Sequence, residues 1–362
     1  MDRPKKRLWL YGLVVPLSPF IAYFLVEYLH LGVFWATGAL VIAIICPLVD
    51  AFAKLDTSNP PESMMRTLEN DRYYRYCTYL YLPLQYAGLA FGCWMWVSQP
   101  MGGAERFAMA ATLGIVGGVG INAAHELGHK RTTLERRLAK IALAQSFYGH
   151  FYVEHNRGHH ARVATPEDPA TARMGESYWR FLPRSVFGSL RSAIRYEKGR
   201  LERRGTSFWN VRHNDILNAW ALSVVLYAAL IAVFGWSIAP WFVVQAVMAI
   251  MFLEGANYLE HYGLLREKRP DGGYERFNPS TAGTATTCVP TCSSTTCSGT
   301  ATTMPIPCAV TRPCGPCRSA AAAGRLRGID HPGAVPAPVA ADNGPATARA
   351  LRARSVANQH SA

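Results

Sequence analysis

Charge is scarce in this chain and unevenly spread. Only 17% of its 362 residues are charged, and long stretches carry almost none. A length that would allow two soluble domains is therefore taken up largely by apolar runs. Six of them, at about 8–28, 32–52, 78–98, 106–124, 216–235 and 238–258, approach the ~20 residues that carry a helix across a bilayer. A leader cleavage site is also lacking. Met1-Asp-Arg-Pro-Lys-Lys-Arg7 resembles the start of a signal peptide, but no A-x-A-like site follows and a second apolar run comes almost at once. That predicts a retained first helix.

Acidic residues are few as well: 24 Asp and Glu stand against 37 Lys and Arg, a net charge of +13. The excess is local. Arg3, Lys5, Lys6 and Arg7 precede the first run; Lys54, Arg66, Arg72 and Arg75 separate the second from the third; residues 130–212 are heavily basic. The connectors near 29–31, 99–106 and 236–237 carry only Glu105 and Arg106, which cancel. Excess Lys and Arg marks the cytoplasmic side, so the N terminus is expected inside and the chain multi-pass. Charge so placed suits anionic lipid headgroups or an acidic soluble partner rather than nucleic acid. A solvated basic loop is the plain alternative.

Against this apolar background, six of the 11 histidines fall in three groups. These are His125 and His129 in H-E-L-G-H-K, His155, His159 and His160 in E-H-N-R-G-H-H, and His261 in N-Y-L-E-H-Y-G-L. Four runs precede His125 and six precede His261, so parity returns every group to the same, cytoplasmic face. The segment 138–153 is too short for a confident seventh crossing; it belongs at the interface or in the interior, and a full crossing would break the parity.

Imidazole is a common neutral metal ligand, and residues four apart on a helix share a side. His125 with His129 makes one such pair, and His155 with His159 is expected to make a second. H-E-L-G-H also satisfies the zinc-protease pattern, in which two His bind zinc and Glu is the base. A single zinc with an open position needs three protein ligands, so five or more grouped His fit two metals better. Nitrogen-rich coordination with little thiolate suits iron. Glu126 and Glu260 are further candidates. His30, His150 and His213 stand apart and read as interfacial side chains satisfied by backbone or lipid phosphate.

The three histidine groups resemble the boxes of the integral-membrane alkane 1-monooxygenases, the alkane hydroxylase family, over roughly residues 5–280. Membrane fatty-acid desaturases and xylene monooxygenases share the general design; Lys130 and the N-Y-L-E-H-Y-G-L box are closer to the alkane hydroxylases. The resemblance implies an all-α polytopic bundle of about six transmembrane helices in the bacterial inner membrane. On its cytoplasmic side would lie a histidine-rich di-iron cap with His125, His129, His155, His159, His160 and His261 as ligands. It implies terminal hydroxylation of an alkane drawn from the bilayer, using O2 and two electrons from a rubredoxin and its NAD(P)H-dependent reductase. Three alternatives stay open: a related desaturase or other histidine-box oxygenase, an intramembrane zinc protease, and a non-enzymatic membrane remnant. Aromatic faces such as Tyr79-Leu80-Tyr81-Leu82 and Trp94-Met95-Trp96 are candidates to line the substrate's route.

One further element is lacking. The family's remaining box, L-Q-R-H-S-D-H-H-A-N-P, does not occur. After Ser280 the chain turns to Thr, Ala, Pro, Arg and Gly, and six of its 9 cysteines lie between Cys288 and Cys317. Cys314-x-x-Cys317 reads alone as a metal or redox pair, and the whole as a low-complexity tail. A third reading fits better. Taken one base earlier, the codons spanning Thr296 to Pro307 can spell Leu-Gln-Arg-His-Ser-Asp-His-His-Ala-Asn-Pro. The single codon of Met304 forces the G that begins the Ala codon. The expected organisation is a membrane di-iron domain over 1–280 and an anomalous, frame-slipped tail over 281–362, whose cysteines are accidents of frame.

Overall fold

The structure is a computed structural model that describes residues 9–48, 71–130 and 132–275. The expected tail, and the expected boundary near 280, lie outside the described residues. Among these the regular elements are helical, with one isolated bridge between Lys268 and Tyr274, as the apolar runs predicted.

Within the described residues each expected run lies on a helical segment, among the helices that follow. In order these are α1 (Val14–Leu29), α2 (Gly32–Leu48), α3 (Arg72–Ser98), α4 (Gly103–Gly128), α5 (Thr133–Ala144), α6 (Phe151–Glu154), α7 (Tyr178–Glu202), α8 (Asp215–Phe234) and α9 (Ala239–His261). Among the described residues four segments are long and apolar enough to cross a membrane: Leu10–Leu29, Gly103–Gly128, Asp215–Phe234 and Trp236–His261. α2 is shorter within the described residues. α3 is long enough, but Arg72, Arg75 and its tyrosines make it less apolar.

The bundle is organised around α4. Of its apolar window 83% is buried, against 17% for α8, so α4 is the central helix and α8 a peripheral one. Val224, Val225 and Val233 of α8 are exposed, a surface suited to lipid rather than water. α4 can be central because glycine lets other backbones approach. A Cβ on Gly114 would lie 2.5 Å from Met248 Cβ and 2.9 Å from Gln245 O; one on Gly118 would lie 3.1 Å from Ala249 O. α9 is thereby packed directly on the helix that carries the first histidine pair.

α5 is a short helix that enters the interior. Its amphipathic sequence begins with a Thr132 cap accepting from Glu135 N, and Glu135 in turn accepts from the Tyr79 hydroxyl at 2.9 Å. Its C-terminal carbonyls, which a helix leaves unpaired, are satisfied by side chains of neighbouring helices. Gln85 Nε2 donates to Ala142 O at 3.1 Å, the Tyr86 hydroxyl donates to Ile141 O, and the Tyr227 hydroxyl and Gln245 Nε2 donate to Gln145 O at 2.6 and 2.7 Å. Non-helical backbone at membrane depth is tolerated where protein satisfies it in this way. Phe147, with φ of 55°, turns the chain back toward α6. Of the two places open to residues 138–153, the interior is the one occupied.

The α4–α9 contact makes a direct prediction. Gly114→Ala should destabilise the purified protein by roughly 1–3 kcal/mol through forced overpacking, read as an earlier thermal unfolding in detergent. An unchanged transition would mean that the two helices are free to separate.

Candidate metal centre

The first histidine pair is set by α4. His125 lies in its last turn and His129 caps it, with His129 N donating to His125 O at 3.3 Å and ring centroids 4.6 Å apart. The second group departs from expectation. Residues His155–His159 form a π-helical turn that continues α6, and His160 N donates to His155 O. Such an i→i+5 turn widens the spacing of one helical face, so His155 turns toward His160 rather than pairing with His159. Their centroids are 4.4 Å apart, against 5.2 Å for His155 and His159.

Two neighbouring assemblies result. His125, His129, His155 and His160 place ligand-type nitrogens within 4.8 Å of one another, with His160 Nε2 3.0 Å from His129 Nε2 at the exposed edge. His159 stands beside His261, at 4.9 Å between centroids. The sequence thus named all six residues, but only four form the tight group. His159 Nδ1 is 3.0 Å from Asp168 Oδ2, and His261 Nδ1 is 3.0 Å from Asn257 O. With these nitrogens as donors, each Nε2 is left with a free lone pair. Glu126 is buried beside His125, 3.9 Å away, while Glu260 is only half-buried; neither joins the four-histidine group.

The electrostatics distinguish the assemblies. Burial, followed by the neighbouring imidazoles, holds His155 well below the usual histidine range. Burial and His129 push His160 down to about 3, and burial and Lys130 lower His129. These rings are neutral at pH 7 and present lone pairs. Burial also opposes a charge on His159, but the charge and hydrogen bond of Asp168 outweigh it and raise the imidazole. Asp168 itself is held at about 2: burial pulls upward, and His159 and Thr171 overcome it.

Buried charges outside the cluster fix the π-helical turn. Arg157, within it, reaches Glu197 of α7 at 2.5 Å and Asp215 of α8 at 2.6 Å. Lys140 of α5 also binds Asp215, at 2.8 Å. On the other side Arg162 joins Glu154 at 2.7 Å and Ser192 at 2.6 Å. A Cβ on Gly158 would lie 2.5 Å from the Glu154 carboxylate, which would have to shift to admit it. Sequence reasoning gave no role to Lys140, Arg162, Glu197 or Asp215, nor to Asp168: they lie outside the histidine boxes, and no local spacing links them.

His150 corrects a second expectation. It is buried, 5% exposed, packed on Tyr148 and Trp220, and among the described residues neither ring nitrogen has a hydrogen-bond partner. His30 and His213 stay outside the cluster as expected.

The fold and site define a polytopic helical membrane protein with a histidine-built metal site. The fatty acid desaturase family pattern matches residues 106–299. The chain is 45% identical over 280 residues to alkane 1-monooxygenase 1 of Alcanivorax borkumensis, covering 77% of this chain and 69% of that protein. It is 45% identical over 275 residues to an alkane 1-monooxygenase of Ectopseudomonas oleovorans, covering 76% and 68%. A Pseudomonas putida alkane 1-monooxygenase is 44% identical over 275 residues, again covering 76% and 68%. The chain belongs to the alkane 1-monooxygenase family. The zinc-protease alternative also left His155 and His160 idle, whereas the structure gathers both beside His125 and His129.

The burial of His150 sets a pH dependence. Burial pushes its imidazole down to about 4, while in the unfolded chain it titrates near 6.5. Between those values the unfolded chain binds the proton more strongly, so stability falls as pH drops through the window. Relative to wild type, His150→Leu should lose up to about 3 kcal/mol of this acid sensitivity, measured by unfolding at pH 7 and pH 4.5. Parallel pH profiles would show that His150 reaches water.

Proposed function

We propose that this protein hydroxylates the terminal methyl of an alkane to a primary alcohol at a di-iron centre. The observation that carries the reading is the convergence of four imidazoles at the end of the central span, in a chain of this family. His155 Nε2 is buried without a hydrogen-bond partner among the described residues, which a bound metal would satisfy. An all-nitrogen donor set accepts iron as well as zinc, but zinc has no redox chemistry, and an unactivated C–H bond gives acid and base groups nothing to exploit. Two irons would supply the oxidising power to place one oxygen atom of O2 in the C–H bond while the other leaves as water, with two electrons and two protons consumed. A rubredoxin and its NAD(P)H-dependent reductase are the proposed electron source. The proposed setting is the bacterial inner membrane, with six crossings and the site on the cytoplasmic side.

The residues of the chain have definable parts in this. His125, His129, His155 and His160 would hold one iron. His159 and His261 would contribute to the second, their free Nε2 atoms aimed by Asp168 and by the Asn257 carbonyl. Arg157 and Arg162 hold the π-helical turn in register. Leu80 and Trp94 are exposed on the lipid side of α3, whereas Tyr81 and Trp96 are buried; the former pair could meet an alkane arriving from the bilayer.

The second position is short of ligands. Two histidines stand there, against four in the first. The chain after α9 folds back toward this position: Arg266 N donates to Ala164 O at 2.7 Å, Arg266 Nη2 donates to Ala161 O at 2.8 Å, and the Tyr274 hydroxyl reaches Glu167 at 2.9 Å. Arg266 thereby ties Glu275, whose carbonyl accepts from Arg266 Nη1 at 3.2 Å, to the chain just past the histidine turn. We propose that a one-base slip near Ser280 has removed the H-S-D-H-H ligands that the shifted frame still encodes across Thr296–Pro307. The tail over 281–362 would then have no role of its own.

Two outcomes test this. The chain as written should bind less iron than the frame-restored chain and show little or no turnover of an alkane, by metal analysis and alcohol product. Equal iron and equal turnover would remove the slip from the account. In the frame-restored chain, Asp168→Asn should weaken metal retention roughly 10–100-fold, read by iron loss to a chelator. Unaltered retention would leave Asp168 without an orienting role.

A further inference from the structure

The basic excess of residues 130–212 is not consumed by the metal site. On α7 it is sorted by face. Arg184 and Arg200 turn inward onto Glu176 and Glu197. Arg180, Arg191 and Arg195 turn outward, and among the described residues none of them has a carboxylate partner. Large apolar side chains share that outer face: Trp179 is 69% exposed and Phe187 64%. The loop after α7 continues the pattern, with Arg203, Arg204 and Arg212 around Trp209, itself 77% exposed.

The anchoring of α7 holds the helix against the spans. Near its N terminus, the Tyr178 hydroxyl donates to Met251 O of α9 at 2.7 Å. Met251 precedes His261 by ten residues, about 15 Å along a helix, so this end of α7 lies beside the body of a span. Near its C terminus, Glu197 Oε1 accepts from Asp215 N at 2.6 Å, and Asp215 is the first residue of α8. Both ends of α7 are thus tied to membrane-spanning helices, and Trp209 comes six residues before one. A helix with mixed aromatic and basic residues on its outer face, tied to spans in this way, is suited to the headgroup boundary.

We propose that the outer face of α7 and the loop Arg203–Arg212 form an interfacial surface that binds anionic phospholipid headgroups, the phosphates paired with Arg180, Arg191 and Arg195 and the indoles of Trp179 and Trp209 seated among the lipids. A soluble acidic partner would need the same arginines, but it would leave exposed tryptophans beside the bilayer without a use.

The test uses the full chain in nanodiscs of phosphatidylcholine, with or without phosphatidylglycerol. Brominated lipids should quench Trp209, taken as the difference between wild type and Trp209→Phe. Native mass spectrometry should find phosphatidylglycerol retained over phosphatidylcholine. That preference should fall roughly fivefold for each arginine replaced by glutamine among Arg180, Arg191 and Arg195, while replacement by lysine keeps it. The proposal is overturned by an unquenched Trp209, which would put the face in water and open to a soluble partner. It is equally overturned by a phosphatidylglycerol preference that survives all three glutamines, or by one that the lysine variants lose.

Discussion

The close approach of α4 and α9 is the constraint on which the site depends. Gly114 and Gly118 remove the side chains that would hold the helices apart, and a Cβ at either would run into backbone of α9. In a bilayer there is little hydrophobic drive between spans, so packing of this kind decides which helices stay together. His125 and His129 end one of these helices and His261 ends the other. Separating the two would move the first and third histidine groups apart, whatever the rest of the chain did.

Around that contact, charge is divided into two kinds of work. At the four-histidine group Glu126 stands 3.9 Å from His125 without joining the ligand atoms, and burial keeps His129, His155 and His160 neutral. One step away, acids and bases are paired tightly: Arg157 with Glu197 and Asp215, Arg162 with Glu154, and Asp168 with His159. Breaking a buried pair by removing one member costs far more than the pair contributes, so these contacts are better understood as fixing geometry than as adding stability. Their effect is to hold a π-helical turn, a conformation seldom found without a functional reason.

The interior end of α5 shows the same economy in uncharged form. Gln85, Tyr86, Tyr227 and Gln245 come from three different helices, and all donate to carbonyls at or just past the end of α5. They allow a twelve-residue helix to stop and reverse inside the bundle. The reversal then delivers Tyr148, His150 and the histidine turn to the end of α4.

The sequence by itself determined the helical runs, the three histidine groups, the basic excess and the family. All of these are local or compositional: twenty apolar residues need no partner to be recognised, and a histidine box is contiguous. It also located the odd character of the tail, because codon overlap is itself a property of adjacent residues. It could not assign the pairing within E-H-N-R-G-H-H. A regular helix would pair His155 with His159, and only the packing of Arg157 and Arg162 against α7 and α8 selects the wider turn that sends His160 to the cluster. Asp168, Glu197 and Asp215 were hidden for the same reason, since their partners lie up to 75 residues away. Spacing along a chain reports what one helix face carries, whereas the meeting of faces from different helices is decided by tertiary packing alone.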